Sequence, residues 1–374
     1  MPVPDLFDPL QLSRGPAMKN RFVLAPLTTQ QSEPDGTVSA DEVEWLRPRA
    51  KGGYALIQTC TANVQAIGKA FPGQMGIYGE RHLEGLARLA AVIREQNCLS
   101  SVQLHHGGYR ALAHAMGVPV GPSDHPVYGA RGLSSSEVDE LRDDFIGAAK
   151  WAERAGFDGV EVHAAFGWIL AQFLSPTLNQ RNDRYGGHLA EIRDVAARAL
   201  REAKIDHVGI APWDVAKAAE DGEFRGRTLL SVFTDLPRGR VRLGASGKVM
   251  GAAQAVGVLE VGCDFVMIGR AAILHPDFPE RVRSDRSYRS PSLPVTENYL
   301  RNEGLSPAFV AYMRNWDDFV ADRAASAPQR APSGLARRAG SRGASDAPGA
   351  RPCGPPRPER SPAWPACARG RRCR

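Results

Sequence analysis

Apolar and amphipathic segments alternate along most of this chain. Between Glu80 and Gln96 the apolar positions recur at helical spacing, and a short apolar run, Leu99 to Leu104, follows at once. Helical spacing returns from Ser136 to Ala155, where Ser134 and Glu137 form the sequence pattern of a capping box. The pattern predicts helices that are each followed closely by a strand.

A helix that leads through glycine into an apolar strand is a recurring unit. It occurs around Gly156, again at 259–269, and more loosely at 51–57. Short strands covered on both faces are typical of parallel sheets, and repetition over about 300 residues favours a closed barrel over an open sheet. The G-x-G-x-x-G fingerprint of open dinucleotide-binding sheets follows none of these strands. We predict an α/β fold of the TIM (β/α)8 type, with strands at 22–26, 54–60, 99–104, 157–163, 205–210, 240–245 and 264–269.

Positive charge is concentrated at the end of the chain. The whole chain carries +6, but residues 324–374 hold 11 Arg against two acids and carry +9, which leaves 1–323 at −3. This tail is rich in Arg, Pro, Gly and Ala and lacks periodicity, so we predict a barrel domain at 1–323 and a disordered tail at 324–374. An RNA-binding arm is one interpretation of the tail. We favour a sequence without binding function, such as a shifted reading frame, because Trp364 is its only aromatic residue.

Several classes of protein are not supported. The six cysteines form no C-x-x-C pair, so we expect neither a metal site nor a disulfide framework, and a reducing cytoplasm is the default location. The chain contains no run of 18 apolar residues, so no membrane span is predicted, and its first residues lack the pattern of a secretory signal. The segment Gly244–Lys248 resembles the end of a P-loop, but Arg242 and Val249 occupy positions that need Gly and Ser or Thr. Neither H-E-x-x-H nor G-x-S-x-G occurs, so hydrolase chemistry has no support.

Polar residues follow the predicted strands at their carboxyl ends, where barrel enzymes keep their chemistry. Thr28 follows the first strand, Gln103 lies near the end of the third, and His163 ends the fourth. Glycines follow the last two strands, where barrels often bind phosphate, and Arg270 is placed to neutralise a dianion. His105 and His106 read more simply as packing residues, Arg181, Asp183 and Arg184 as a loop brace, and Trp45 and Trp151 as core.

Four stretches carry a family pattern. They are Asn20–Thr28, Val102–Gly107, Ala155–Gly187 (with its Gln172–Pro176 and Asn179–Gly187 segments) and Asp264–Ile273. Together they resemble the old yellow enzyme family of NADH:flavin oxidoreductases, which are FMN-dependent TIM barrels. The resemblance covers about residues 5–320 with one gap. Its central stretch is highly specific.

The resemblance implies the role of each matching residue. Thr28 lies near O4 and N5 of the flavin, Gln103 binds the pyrimidine edge through its amide, and His163 donates a hydrogen bond to the carbonyl oxygen of the substrate. His163 and Thr28 are therefore the implied catalytic residues. The implied FMN contacts are Ala25, Pro26, Leu27, Thr28, Gln103, Gly247, Gly269 and Arg270. Without the resemblance, Gln103 and His163 could each be structural residues at a strand end.

Two departures fall on the substrate side. The family has a second His or Asn three residues after the first His, where this chain has Phe166, and a proton-donating Tyr, where it has Trp168. His163 is then left as a single donor to the oxyanion, and losing one such donor costs about 10²–10³ in rate. An indole N–H is not a comparable acid, so solvent or another residue has to protonate the substrate.

A third departure concerns the barrel wall. Only 17 residues (188–204) separate Gly187 from the strand that begins at Ile205, and a helix from His188 to Ala203 uses nearly all of them. The family places a further strand and helix here, with a basic residue at the flavin N1/O2 edge. We therefore predict that one βα unit, in the strand-five region, is missing. Either the Ile205 strand moves into the vacant place and closes a seven-stranded barrel, or the protein is a degenerate copy.

We expect an FMN-dependent oxidoreductase that uses NADH or NADPH to reduce the flavin and passes hydride to an activated alkene or a similar small molecule. The alternative is an impaired or vestigial barrel with weak or no flavin binding. We expect no membrane partner and no nucleic acid partner, and the sequence does not reveal the substrate or the oligomeric state.

Overall fold

The computed structural model describes residues 3–112, 117–186, 204–220 and 222–321. Met1–Ala321 forms one compact unit, and a second unit, Asp322–Arg374, lies outside the described residues. The predictions of a disordered tail at 324–374 and of a helix from His188 to Ala203 concern residues outside these ranges. Both stay predictions.

All seven predicted strands are present in one sheet of parallel pairs, whose order is β7-β4-β2-β1-β10-β9-β8. The two-residue strand β3 pairs with β2, and β5 pairs with β6 apart from this sheet. The strands are β1 Phe22–Leu24, β2 Leu56–Asn63, β3 Met75–Gly76, β4 Leu99–His105, β5 Val120–Gly121, β6 Arg131–Gly132, β7 Gly159–Val162, β8 His207–Ile210, β9 Arg242–Ala245 and β10 Phe265–Ile268.

Helices connect successive strands of the sheet and cover its outer face. The α-helices described are α1 Ala40–Lys51, α2 Leu83–Arg94, α3 Ser135–Ala155, α4 Ile169–Leu174, α5 Leu229–Thr234, α6 Ala252–Glu260, α7 Arg270–Leu274, α8 Phe278–Ser284, α9 Glu297–Asn302 and α10 Pro307–Met313. Short 3-10 turns lie at Ala66–Gly68, Glu80–His82, Gly108–Arg110 and Pro126–Tyr128.

Local sequence explains the bounds of the two longest predicted helices. α3 begins after Ser134, which forms both hydrogen bonds of a capping box with Glu137, and it ends at Gly156 with φ +86°. α2 starts three residues later than predicted, because residues 80–82 form a 3-10 turn. The predicted apolar face of α2 is confirmed, since Leu86, Leu89, Ala90 and Ile93 are fully buried and Leu83 packs, partly buried, against the same core.

The sheet curls around an apolar interior. Leu99 of β4 shares one cluster with Phe265 and Met267 of β10, although two strands separate β4 from β10 in the sheet. Leu10 and Met18, which pair through backbone hydrogen bonds of 2.9 Å, pack against the same cluster. An apolar layer therefore fills one end of the barrel, and the functional residues are expected at the other end, where the strands have their carboxyl ends.

The sheet ends at β7 and β8. Within the described residues β7 pairs only with β4 and β8 only with β9. The predicted strand that begins at Ile205, which is β8, therefore does not pair with β7 to close the barrel within these residues. Residues of β7 and β8 are accordingly half-exposed or exposed, whereas every residue of β2 is buried. The predicted loss of one βα unit stays a prediction, because 187–203 lies outside the described ranges.

Candidate active site

The carboxyl ends of the parallel strands bring the predicted site residues to one edge of the sheet. Along that edge the strands lie in the order β7, β4, β2, β1, β10 and β9, and β2 carries none of the predicted site residues. The predicted site residues therefore lie along the edge in this spatial order: His163, Gln103, Ala25 to Thr28, Gly269 with Arg270, and Gly247. Phe166 and Trp168 follow His163 in the loop before α4.

The segment after β1 is held between two other parts of the unit. The backbone N–H of Ala25 donates to the carbonyl oxygen of Ile268 at 3.0 Å. Leu27 lies beside Gly269, where a built Cβ would be 3.6 Å from Leu27 Cδ2. The Thr28 hydroxyl neighbours the phenol of Tyr312 on α10, and burial raises the pKa of Tyr312, an effect that Thr28 partly offsets. Ala25 and Leu27 of the predicted flavin-lining segment are therefore held against the end of β10.

A polar layer lies above the apolar interior on three adjacent strands. Glu161 of β7 accepts a hydrogen bond from Gln103 Nε2 of β4 at 2.9 Å and another from Gln58 Nε2 of β2. Burial raises the pKa of Glu161 to about 7, although both hydrogen bonds favour the carboxylate. Gln58 Oε1 is buried and has no hydrogen-bond partner. Gln103 keeps its carbonyl oxygen and one N–H for a ligand.

His163 sits among aromatic side chains. Its ring is stacked on His105, with centroids 5.8 Å apart, and lies 5.9 Å from the ring of Phe166. Burial lowers the pKa of His163 to about 4, so the ring is neutral at physiological pH. Phe166 itself is 60% exposed and has φ +54°, a backbone conformation that phenylalanine rarely adopts.

Trp168 lies on the same side of the site. Its ring meets His105 edge to face at 4.7 Å, and the guanidinium of Arg110 lies 4.2 Å from its centroid. Arg110 also donates to the carbonyl oxygen of Phe166 at 2.8 Å, which fixes the loop that carries both aromatic residues.

His105 and His106 are packing residues, as the sequence indicated. His106 is 1% exposed and its Nδ1 accepts from Gly108 N–H at 3.0 Å. His105 is fully buried, and its Nδ1 lies 3.0 Å from Gln74 Nε2. The predicted loop brace is also confirmed: Arg181 pairs with Asp183, and Arg184 pairs with Asp139. Trp45 is core, whereas Trp151 is only partly buried against it.

The predicted phosphate end combines two loops. Gly269 precedes α7, and Arg270 is the first residue of that helix. Gly247 has φ +148°, and a Cβ there would lie 2.4 Å from the carbonyl oxygen of Pro212. Among the described residues the Arg270 guanidinium makes no hydrogen bond or ion pair; its one described contact is the ring of Trp213, 4.9 Å from the centroid.

Sequence reasoning missed four residues of this region: Gln58, Glu161, Trp213 and Tyr312. Glu161 carried a usable signal, since a charged residue stands between Val160 and Val162 within a predicted strand. Nothing in the local sequence distinguishes the other three, because their importance comes from contacts across the fold.

The described residues form neither a candidate metal-binding cluster nor a candidate membrane-spanning helix. These contain no group of three or more His, Cys, Asp or Glu placed to hold a metal ion. The three cysteines among them, Cys60, Cys98 and Cys263, are buried and free. No helix in this part of the chain is both long enough and apolar enough to cross a bilayer.

The groups left without partners suit FMN. The buried Gln58 Oε1 and the free amide atoms of Gln103 can meet the donors and acceptors of a flavin pyrimidine edge. The Arg270 guanidinium is free of any described carboxylate and can bind a phosphate. The residues therefore fit a planar heterocycle that carries a phosphorylated side chain.

Comparison with known proteins agrees with this chemistry. The sequence profile of the NADH:flavin oxidoreductase / NADH oxidase family matches residues 5–212. A probable NADH-dependent flavin oxidoreductase, YqiG of Bacillus subtilis, is 32% identical over 331 residues, which cover 75% of this chain and 88% of YqiG. An NADPH dehydrogenase of the same organism is 28% identical over 338 residues, with 79% and 98% covered.

Solved structures show the same fold. The old yellow enzyme homologue from Zymomonas mobilis has a TM-score of 0.66 at 23% identity, with 82% of this chain and 98% of that chain covered. Morphinone reductase has a TM-score of 0.67 at 22% identity, with 80% and 93% covered. These likenesses confirm the predicted TIM-barrel class.

The chain therefore belongs to the NADH:flavin oxidoreductase family, the old yellow enzyme family of TIM barrels. It is an oxidoreductase of a class that uses FMN as its cofactor and NADH or NADPH as its reductant.

Proposed function

We propose that this protein reduces an activated alkene or a similar small acceptor at the carboxyl edge of its barrel. The observation that carries the proposal is the neutral His163 on the same edge as Thr28, Gln103 and the unpaired Arg270. FMN, when bound, supplies the hydride chemistry that joins NADH or NADPH to the acceptor. The residues of the chain bind the flavin, orient the acceptor and polarise its carbonyl group.

His163 is the residue we assign to the acceptor. Because burial holds its pKa at about 4, it acts as a neutral hydrogen-bond donor to a carbonyl oxygen and not as a proton source. Phe166 offers no second donor, and Trp168 has only an indole N–H, which is not acidic. Solvent therefore delivers the proton that completes the reduction.

The cofactor contacts follow the strand order. We assign Ala25, Pro26, Leu27 and Thr28 to the flavin ring, Gln103 to its pyrimidine edge, and Gly247, Gly269 and Arg270 to the phosphate. Support comes from the Ala25 backbone, which is hydrogen-bonded to Ile268, and from the Gln103 amide, whose orientation Glu161 sets. We further assign the activity to residues 1–323, so removal of 324–374 leaves flavin affinity unchanged.

The test is a titration of the purified flavin-free chain with FMN, followed by absorbance and by quenching of flavin fluorescence. We expect saturable binding of one FMN per chain, and then oxidation of NADH or NADPH that requires an added enone such as 2-cyclohexenone. No bound flavin at saturating FMN would refute the proposal and leave the alternative of a barrel that has lost its cofactor. Bound flavin without enone-dependent turnover would refute the acceptor assignment alone.

A further inference from the structure

Trp213 is an exposed indole in contact with the one basic side chain assigned to phosphate. It is 59% exposed, and the Arg270 guanidinium carbon lies 4.9 Å from its ring centroid. That distance is within the range of cation–π attraction. A guanidinium bound through its face to an aromatic ring keeps its N–H groups, which lie in its plane, available to an oxyanion.

The loop that carries Trp213 is fixed by the loop after β9. Ser246 N–H donates to the carbonyl oxygen of Ile210 at 2.9 Å, and Val215 N–H donates to that of Gly247 at 3.2 Å. Asp214, next to Trp213, forms an ion pair of 3.4 Å with Lys248. These contacts hold the segment 211–215 at both ends, so Trp213 has a defined place above Arg270.

A second aromatic residue supports Trp213 from the C-terminal part of the unit. Trp316, just beyond α10, lies 6.1 Å from Trp213 between ring centroids, and Tyr312 lies 6.4 Å from Trp316. The Tyr312 phenol neighbours the Thr28 hydroxyl. A continuous row of side chains thus joins the residue assigned to the flavin ring to the residue assigned to the phosphate.

We propose that Trp213 is a positioning residue that holds the Arg270 guanidinium edge-on to the phosphate of FMN and so gives the site its preference for FMN over riboflavin. This inference rests on the proposed function. Free Arg side chains sample many rotamers, and ordering them costs free energy at binding. Contact with the indole lowers that cost before the ligand arrives. Riboflavin has no phosphate, so its affinity does not depend on the orientation of Arg270.

The experiment compares FMN and riboflavin affinities by equilibrium dialysis for the wild-type chain, Trp213→Leu, Trp213→Tyr and Arg270→Ala. An exposed cation–π contact is worth about 0.5–1 kcal/mol, which corresponds to about a two- to five-fold change in affinity. We expect Trp213→Leu to weaken FMN binding by that factor and to leave riboflavin binding unchanged. Trp213→Tyr keeps an aromatic face and should restore most of the FMN affinity.

The double variant tests whether Trp213 acts through Arg270. In the Arg270→Ala background, Trp213→Leu should have no further effect on FMN affinity. Tyr128→Leu is the matched control, because Tyr128 is 45% exposed and its described ring contacts are Tyr109 and His125. It should bind both flavins as the wild-type chain does.

The outcomes separate the two proposals. Equal losses of FMN and riboflavin affinity in Trp213→Leu would show a merely structural role and overturn the inference, as would affinities for both flavins that match those of the wild-type chain. In both cases the proposed function would stand if the wild-type chain binds FMN. If the wild-type chain binds neither flavin, the proposed function fails and this inference fails with it.

Discussion

Replacing Glu161 by glutamine should stabilise the protein in a pH-dependent way. Glu161 is held by two glutamine amides, and no cationic side chain contributes to its shifted pKa. Burial raises that pKa from 4.5 to about 7. The folded state therefore binds the proton more tightly than the unfolded state, and stability falls as the pH rises from about 4.5 to about 7. Above about pH 7 the free energy of unfolding has fallen by the full amount that this shift causes.

The magnitude follows from the size of the shift. One pKa unit corresponds to 1.36 kcal/mol, so raising the pKa from 4.5 to about 7 costs the ionised form up to about 3 kcal/mol. Glutamine has the shape of the protonated acid and carries no charge. Gln58 Oε1, which has no partner, can accept from the new amide once the Gln58 side chain flips. We expect near-equal stabilities at pH 5 and a more stable variant at pH 8.

The assay is thermal and urea unfolding of the flavin-free chain between pH 5 and pH 9, followed by circular dichroism. At pH 8 the variant should unfold at a temperature higher by about 4–5 °C. The control is Glu84→Gln on the exposed side of α2, which should change neither stability nor its pH dependence. Burial also raises the pKa of Glu42 to about 7, but both proteins share that effect and it cancels in the difference. A stability difference that does not vary with pH would refute the reasoning.

Three further substitutions test the site. His163→Ala should lower kcat with an enone by about 10²–10³ while leaving FMN affinity unchanged. The wild-type kcat should show no inflection from His163 between pH 6 and pH 8, because burial lowers the pKa of His163 to about 4, and an inflection in that range that His163→Ala abolishes would contradict the neutral donor. Phe166→Asn should raise both kcat and thermal stability, since asparagine adds a donor and tolerates φ +54°; a lower unfolding temperature would count against it. Gly247→Ala should destabilise the chain by about 1–3 kcal/mol in urea unfolding, because its Cβ would lie 2.4 Å from Pro212 O, and an unchanged midpoint would show that the loop can relax.

The barrel could be predicted because its signals are local. The capping box at Ser134 and the left-handed Gly156 bound α3, and the apolar runs gave the strands to within a few residues. The site could be predicted in outline for a related reason. Parallel strands end at one edge, so residues such as Thr28 and His163 are neighbours in space once the fold class is known.

The side-chain contacts between the site residues could not be predicted from the sequence. Gln103 meets Glu161 only because of the strand register, and Gln58 reaches the same carboxylate from β2, where the pairing with β4 is irregular between Gln58 and Thr61. Tyr312 reaches Thr28 from a helix near the end of the unit. Such contacts depend on tertiary distance, which neither spacing nor propensity encodes.

The unequal pairing of the strands divides the site into two parts of different rigidity. His163 follows β7, which is hydrogen-bonded to β4 alone among the described strands, whereas Arg270 follows β10, which lies between β1 and β9. A strand with one neighbour loses its hydrogen bonds in smaller and more frequent fluctuations than a strand with two. Amide hydrogens of 160–162 should thus exchange with solvent sooner than those of 266–268. The part of the site assigned to the acceptor can therefore open transiently while the Gly269 and Arg270 segment, assigned to the phosphate, stays in place.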